Sequence, residues 1–93
     1  MIRSFRCKET ERVWGGQSSR KFPGDIQDRS LRKLRQLDAS GSLDDLRNPP
    51  GNRLEALHGE RAGQMSIRIN GQWRICFQWR DGDATEVEIV DYH

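Results

Sequence analysis

Long apolar runs are missing from this 93-residue chain, and hydrophobic side chains make up only 33% of it. No stretch approaches the ~20 apolar residues that a membrane-spanning helix needs. The first residues also lack the charged-then-apolar pattern of a secretory leader, so a cytoplasmic protein with no membrane partner is expected. Cysteine is scarce. Cys7 and Cys76 lie far apart and match no metal-ligand spacing. Two free thiols in a reducing compartment are the expectation, with a disulfide as the alternative. Histidine stands only at 58 and 93, and there is no glycine-rich phosphate loop, metal cluster or Ser-His-Asp arrangement. An excess of one charge is missing too: 16 basic side chains meet 14 acidic ones, for a net +2. A polybasic nucleic-acid tail is thereby excluded, and the placement of the charge matters more than its total. Lysine occurs only as Lys8, Lys21 and Lys33, so the other cations are arginines. The planar Arg fork fits phosphate better than an ammonium does, although a GC-rich genome gives the same bias.

What is present is strong periodicity. From Gln64 onward, Met65, Ile67 and Ile69, then Trp73, Ile75, Phe77 and Trp79, then Val87 and Ile89 alternate with polar neighbours. A period of two predicts three strands with one buried face. Asn70-Gly71 and Asp81-Gly82 predict hairpin turns with positive φ. Something else must cover the apolar face. The best candidate is a helix over about Ile26–Asp38, with Ile26, Ser30, Leu31, Leu34 and Leu37 on one side and Arg29, Arg32, Lys33 and Arg35 on the other. Asp25 is its expected N-cap. A short helix over Lys8–Trp14, a short strand in Met1–Cys7, one further turn at Leu43–Leu46 and a strand over Asn52–Leu57 complete the reading. The chain is thus one domain, 1–93, of the α+β class. Its N-terminal helices should pack on one face of a mainly antiparallel sheet of about four to five strands.

Four features have the chemistry for a site, and each has a bland reading beside it. Asp91-Tyr92-His93 offers a proton carrier, an orienting carboxylate and a ring that can stack on a base, or else is a polar chain end. Arg74, with Arg68 nearby, can hold a phosphate from the polar face of the sheet, or pair across strands with Glu86 or Glu88. His58 sits in a polar loop with Glu55, Glu60 and Arg61, where a histidine is usually only solvated. Trp73 and Trp79 stand at core positions more readily than at base-stacking ones. The residues alone lead to a small α+β domain with a basic sheet face that can contact RNA.

The segment NRLEALHGERAGQMSIRINGQWRICFQW and the final strand ending EIVDYH closely resemble the HigB-type killer toxins of the RelE/ParE superfamily. MIRSF and the helical middle of the chain resemble them too, so the likeness covers essentially the whole length. It implies the RelE-like ribonuclease fold and a ribosome-dependent, metal-independent endonuclease that cuts message in the decoding site of the 70S ribosome. It further implies that Arg74 serves the phosphate, His93 carries protons, Asp91 orients it or shares that work, and Tyr92 stacks on a base. His58 would hold the phosphate or donate a second proton. Arg53, Arg61 and Arg68 become RNA contacts. Glu55 stands where some relatives have a histidine; a buried glutamate can act as a base, and an exposed one repels RNA. The expected partner is a HigA-like helix-turn-helix antitoxin, through which alone operator DNA is reached, with Arg29, Arg32 and Arg35 as one contact surface. Two alternatives share the resemblance: a ParE-like, non-catalytic inhibitor of DNA gyrase, and a degenerate toxin that only binds its antitoxin as co-repressor.

Overall fold

The computed structural model describes residues 1–91; Tyr92 and His93 lie outside the described residues. Alternation in the C-terminal third produces the expected meander. Strands β1 (Glu55–Ala56), β2 (Met65–Arg68), β3 (Trp73–Arg80) and β4 (Asp83–Asp91) lie in the order β1-β2-β3-β4, each antiparallel to its neighbour. Helices α1 (Lys8–Trp14) and α2 (Gly24–Ala39) precede them, and short 3-10 turns occupy Leu43–Arg47, Pro50–Asn52 and Gly59–Arg61.

The two hairpins differ. Asp81 and Gly82 have φ of 51° and 83° between the paired residues Arg80 and Asp83, which is the two-residue turn foreseen from the dipeptide. Asn70-Gly71 instead lies in a wider turn. The Asn70 side-chain oxygen accepts from the amides of Gln72 and Trp73, both at 2.8 Å, and neither Asn70 nor Gly71 takes positive φ. A short amide side chain that bonds the backbone two residues on replaces the primed turn.

β4 carries a bulge. Cys76 pairs with Glu88 and Gln78 with Thr85, so β4 spends an extra residue, and Glu86 takes a φ of 52°. The bulge brings Val87 and Ile89 onto the same buried face as Ala84. Ser4 fills the gap: its hydroxyl accepts from the Glu86 amide at 2.9 Å and its carbonyl from the Val87 amide at 3.1 Å. The N-terminal strand expected over residues 1–7 is therefore reduced to two parallel bridges, Ile2 with Ala84 and Phe5 with Val87.

α2 buries Ile26, Ser30, Leu34 and Leu37 at helical spacing against the sheet. It begins directly after Pro23, so Asp25 falls within the first turn and makes no cap. Gln27 braces the approach to the helix: its side-chain nitrogen donates to the carbonyls of Ser19 and Phe22 at 2.8 and 2.9 Å. α1 is tied to the sheet by the buried Thr10 hydroxyl, which accepts from the Ile89 amide at 2.9 Å. Leu34, Leu37, Leu46, Ile67, Ile75, Phe77 and Val87 are fully buried, each worth roughly 1.5–3 kcal/mol of transfer free energy. Trp73 packs edge-on against Phe22 and Trp79 against Phe77, so both tryptophans border the core as their spacing indicated. Among the described residues no helix is long and apolar enough to cross a membrane.

The strand expected over Asn52–Leu57 is corrected to two residues. Arg53 takes a left-handed conformation (φ 44°, ψ 56°) after the Pro50–Asn52 turn, and this delays the pairing to Glu55. Asn52 is fully buried beneath that turn, where its side-chain nitrogen donates to the Leu46 carbonyl at 3.1 Å and its oxygen accepts from the Lys33 ammonium.

Candidate nucleic-acid interface

β3 is covered on both faces. Ile75 and Phe77 look to the helices, while Arg74 and Cys76 are buried on the opposite, polar face. The ladder assigns that face directly. Arg68 pairs with Arg74 and Arg74 with Val90 in one rung; Glu55, Ser66, Cys76 and Glu88 make the next.

Arg74 is only 8% exposed. Its Nε donates to the Ser66 hydroxyl at 2.8 Å, and its Nη2 donates to the Arg53 carbonyl at 2.7 Å and to the Ser66 carbonyl at 3.5 Å. Glu55 Oε1 lies 3.5 Å from the same Nη2. A buried cation must be hydrogen-bonded and partnered to be tolerated. Here the left-handed turn at Arg53 aims a carbonyl at it, and a half-exposed carboxylate supplies countercharge. The pairing foreseen with Glu86 or Glu88 is replaced by Glu55. Glu86 is exposed at the bulge, and Glu88 bonds Arg61 at 2.8 Å.

Beside Arg74 opens a cleft of about 340 Å³, walled by Arg53, Arg68, Asn70, Gly71 and Arg74. Through Arg68, Asn70 and Gly71 it adjoins a second lobe of about 440 Å³ bordered by Arg29, Lys33 and Gly51. Among the described residues no carboxylate borders either lobe. Concentrated positive charge in a concave surface attracts and orients anions. Burial, and then the guanidinium groups of Arg29 and Arg32, pull the Lys33 ammonium below its ordinary pKa.

Arg53, Arg68 and Arg74 converge on one lobe. Glu55, 49% exposed, pairs with Arg74 from outside the residues that line the lobe, so the burial that would suit a carboxyl base is not found. Arg61 lies on the same sheet face one rung away, bonding Glu88 and, at 3.1 Å, Gln64. Asp91 pairs with Trp73, which places it on the helix-side face opposite Arg74, where its carboxylate accepts from Gln72 at 3.1 Å. His58 is exposed beyond the far end of β1. It is not among the residues that line the cleft. Tyr92 and His93 fall outside the described residues. At Asp91, paired with Trp73, β4 reaches the turn 69–72 that rims the cleft.

The sequence pattern does not single out Lys33 or Asn52 and presents Arg29, Arg32 and Arg35 as one surface. The structure divides them: Arg29 joins Lys33 in the cleft, while Arg32 and Arg35 border a separate groove with Asp28 and Leu31. The spacing of Arg29 and Lys33, four residues apart on one helix, was the available signal.

A family model described as RelE-like toxin of type II toxin-antitoxin system HigB matches residues 3–93. Toxin HigB-1 of Vibrio cholerae serotype O1 is 51% identical over 85 residues, 90% of either chain. Endoribonuclease HigB of Proteus vulgaris is 32% identical over 93 residues, 100% of either chain. Among solved structures, the YoeB-YefM complex from Staphylococcus aureus aligns with a TM-score of 0.62 and 18% identity over 100% of this chain and 98% of that one. YafQ from E. coli aligns with a TM-score of 0.57 and 11% identity over 98% of this chain and 93% of that one. At these identities the two structures speak for the shared fold.

Proposed function

The chain belongs to the RelE-like HigB toxin family of type II toxin-antitoxin systems, and from that premise we propose that it is an endoribonuclease that enters the ribosomal A site and cuts the message held there. One observation carries the reading: a nearly buried, carbonyl-anchored Arg74 faces a cleft walled by Arg53 and Arg68, at the end of the sheet where β4 reaches Asp91.

The proposed chemistry is metal-independent transesterification. The 2′-hydroxyl of the message attacks the adjacent phosphorus, and the bond from phosphorus to the 5′-oxygen breaks. The products are a 2′,3′-cyclic phosphate and a 5′-hydroxyl. The hydroxyl proton passes to a base, and an acid protonates the leaving oxygen. Arg74 stabilises the charge that accumulates on the phosphorane. Its anchoring means that little reorganisation is needed as the charge develops. Arg53 and Arg68 grip the backbone. His93 is the proton carrier and Tyr92 the base-stacking ring, each assigned from its type and its place in the sequence. Asp91, which accepts from Gln72, orients His93 or shares the acid–base work. His58 is proposed to help hold the phosphate or to donate a second proton. A helix-turn-helix antitoxin is the proposed partner in neutralisation, and the Arg32–Arg35 groove, outside the cleft, is its proposed contact.

Primer extension on a defined message in a reconstituted translation system tests this reading. Cuts confined to the A site of programmed ribosomes, with naked message intact, are expected. No cleavage by folded protein, together with gyrase-linked DNA breaks, would replace it with a binding toxin.

A further inference from the structure

The Arg29–Lys33 lobe is separate from the groove around Arg74 yet continuous with it. Arg29 and Lys33 stand one helical turn apart, and like charges at that spacing destabilise a helix by a few tenths of a kcal/mol. Arg68 reaches toward the same lobe from the sheet and spans both lobes. Gly71 leaves the floor bare at the junction: a Cβ there would lie 3.6 Å from Arg68 Nη2. Mutual repulsion, with no carboxylate on the lining among the described residues, is an arrangement that an anion would relieve.

We propose that this lobe is a second phosphate subsite, which holds a phosphodiester of the message flanking the scissile one. Arg68 is the shared wall, so a strand whose scissile phosphate sits at Arg74 passes a neighbouring phosphate to Arg29 and Lys33. The inference rests on the proposed cleavage site and extends it: the enzyme grips a run of at least two successive linkages.

The test pairs a protein charge with a message charge. Ribosomes are programmed with messages carrying a neutral methylphosphonate at one of the linkages flanking the cut, and cleavage is followed in single turnover. The proteins are the wild type, Arg29→Gln and Lys33→Gln. Arg29→Gln is the decisive variant, because Lys33 also bonds Asn52 and its loss can disturb the fold. On native message Arg29→Gln should slow cleavage roughly tenfold, the scale of one charge-assisted contact. At one flanking position the methylphosphonate should slow the wild type similarly and slow Arg29→Gln little further. Equal, additive losses at every position would overturn the subsite in favour of a contact to ribosomal RNA. Wild-type rates for Arg29→Gln on native message would also overturn it, leaving the cleavage reading in place. No cleavage by the wild type on any message would overturn both.

Discussion

Arg74 Nη2 donates a 2.7 Å hydrogen bond to the carbonyl of Arg53, a residue whose backbone is left-handed. That bond joins the loop before β1 to the central strand. It fixes one cation of the cleft by means of the backbone of another. The Ser66 hydroxyl, 2.8 Å from Arg74 Nε, completes the fixation.

Ser66→Ala removes the side-chain acceptor and keeps the charge. The loss of a neutral partner to a buried cation should lower stability by about 1–3 kcal/mol. Misplacement of the guanidinium should reduce single-turnover cleavage roughly ten- to hundredfold, with ribosome binding unchanged. Denaturant melts and a rate-against-affinity comparison check this. A purely structural serine would lower stability and leave the rate per folded molecule intact.

Glu55 lies 3.5 Å from Arg74 Nη2 and, on the proposed reading, competes with substrate phosphate for it. Its replacement in Glu55→Gln should tighten message binding severalfold and preserve the maximal rate, which titration of cleavage against programmed ribosomes would show. A collapse of the maximal rate would instead make Glu55 the general base.

Asp83 gives a prediction in pH. The Arg3 guanidinium and the Met1 amino group, both hydrogen-bonded to it, hold its carboxyl below the ordinary carboxylate value. A folded-state value lowered in this way stabilises the protein above the unfolded pKa, and that contribution is lost as pH falls through the folded value. Asp83→Asn should therefore lower the melting temperature at neutral pH and lower it less once the pH is well below the ordinary aspartate value of about 3.9. Thermal melts of both proteins at the two pH values read the difference directly; an equal loss at both would refute the ion-pair account.

The thiols should separate by reactivity. Burial pushes the Cys76 thiol up. At Cys7 burial is outweighed by backbone hydrogen bonds from Thr10 and Glu9 and by the nearby Lys21, and the thiol lies below its ordinary value. Thiolate fraction and access set the rate of alkylation. Cys7 should react well before Cys76 under native conditions, as mass spectrometry of timed reactions would show.

The meander, both helices and the Arg74 face were legible in the sequence because each rests on periodicity, which burial enforces. The helix start at Pro23 in place of Asp25 and the wide turn at Asn70 were not, because each depends on a local choice among nearly equal hydrogen-bonding arrangements. Arg53 is the sharper case: nothing in its neighbours marks an arginine for positive φ. The bulge at Glu86 is stabilised by Ser4, more than eighty residues away. Alternation alone therefore could not place Ala84 and Val87 on one face. For the same reason the polar side of α2 read as uniform. Only the approach of the Pro50–Asn52 turn and the turn 69–72 distinguishes Arg29 and Lys33 from Arg32 and Arg35.

The central claim is that the anchored guanidinium of Arg74 serves the scissile phosphate. Its most direct test is primer extension on ribosomes programmed with one message, comparing wild type, Arg74→Lys and Arg74→Ala, each first shown to be folded by antitoxin binding. The wild type should cut at the A site, Arg74→Ala should lose at least roughly a hundredfold, and Arg74→Lys should recover little, because an ammonium cannot span the Ser66 hydroxyl and the Arg53 carbonyl as the fork does. A folded Arg74→Ala protein that cuts at the wild-type rate would contradict the account.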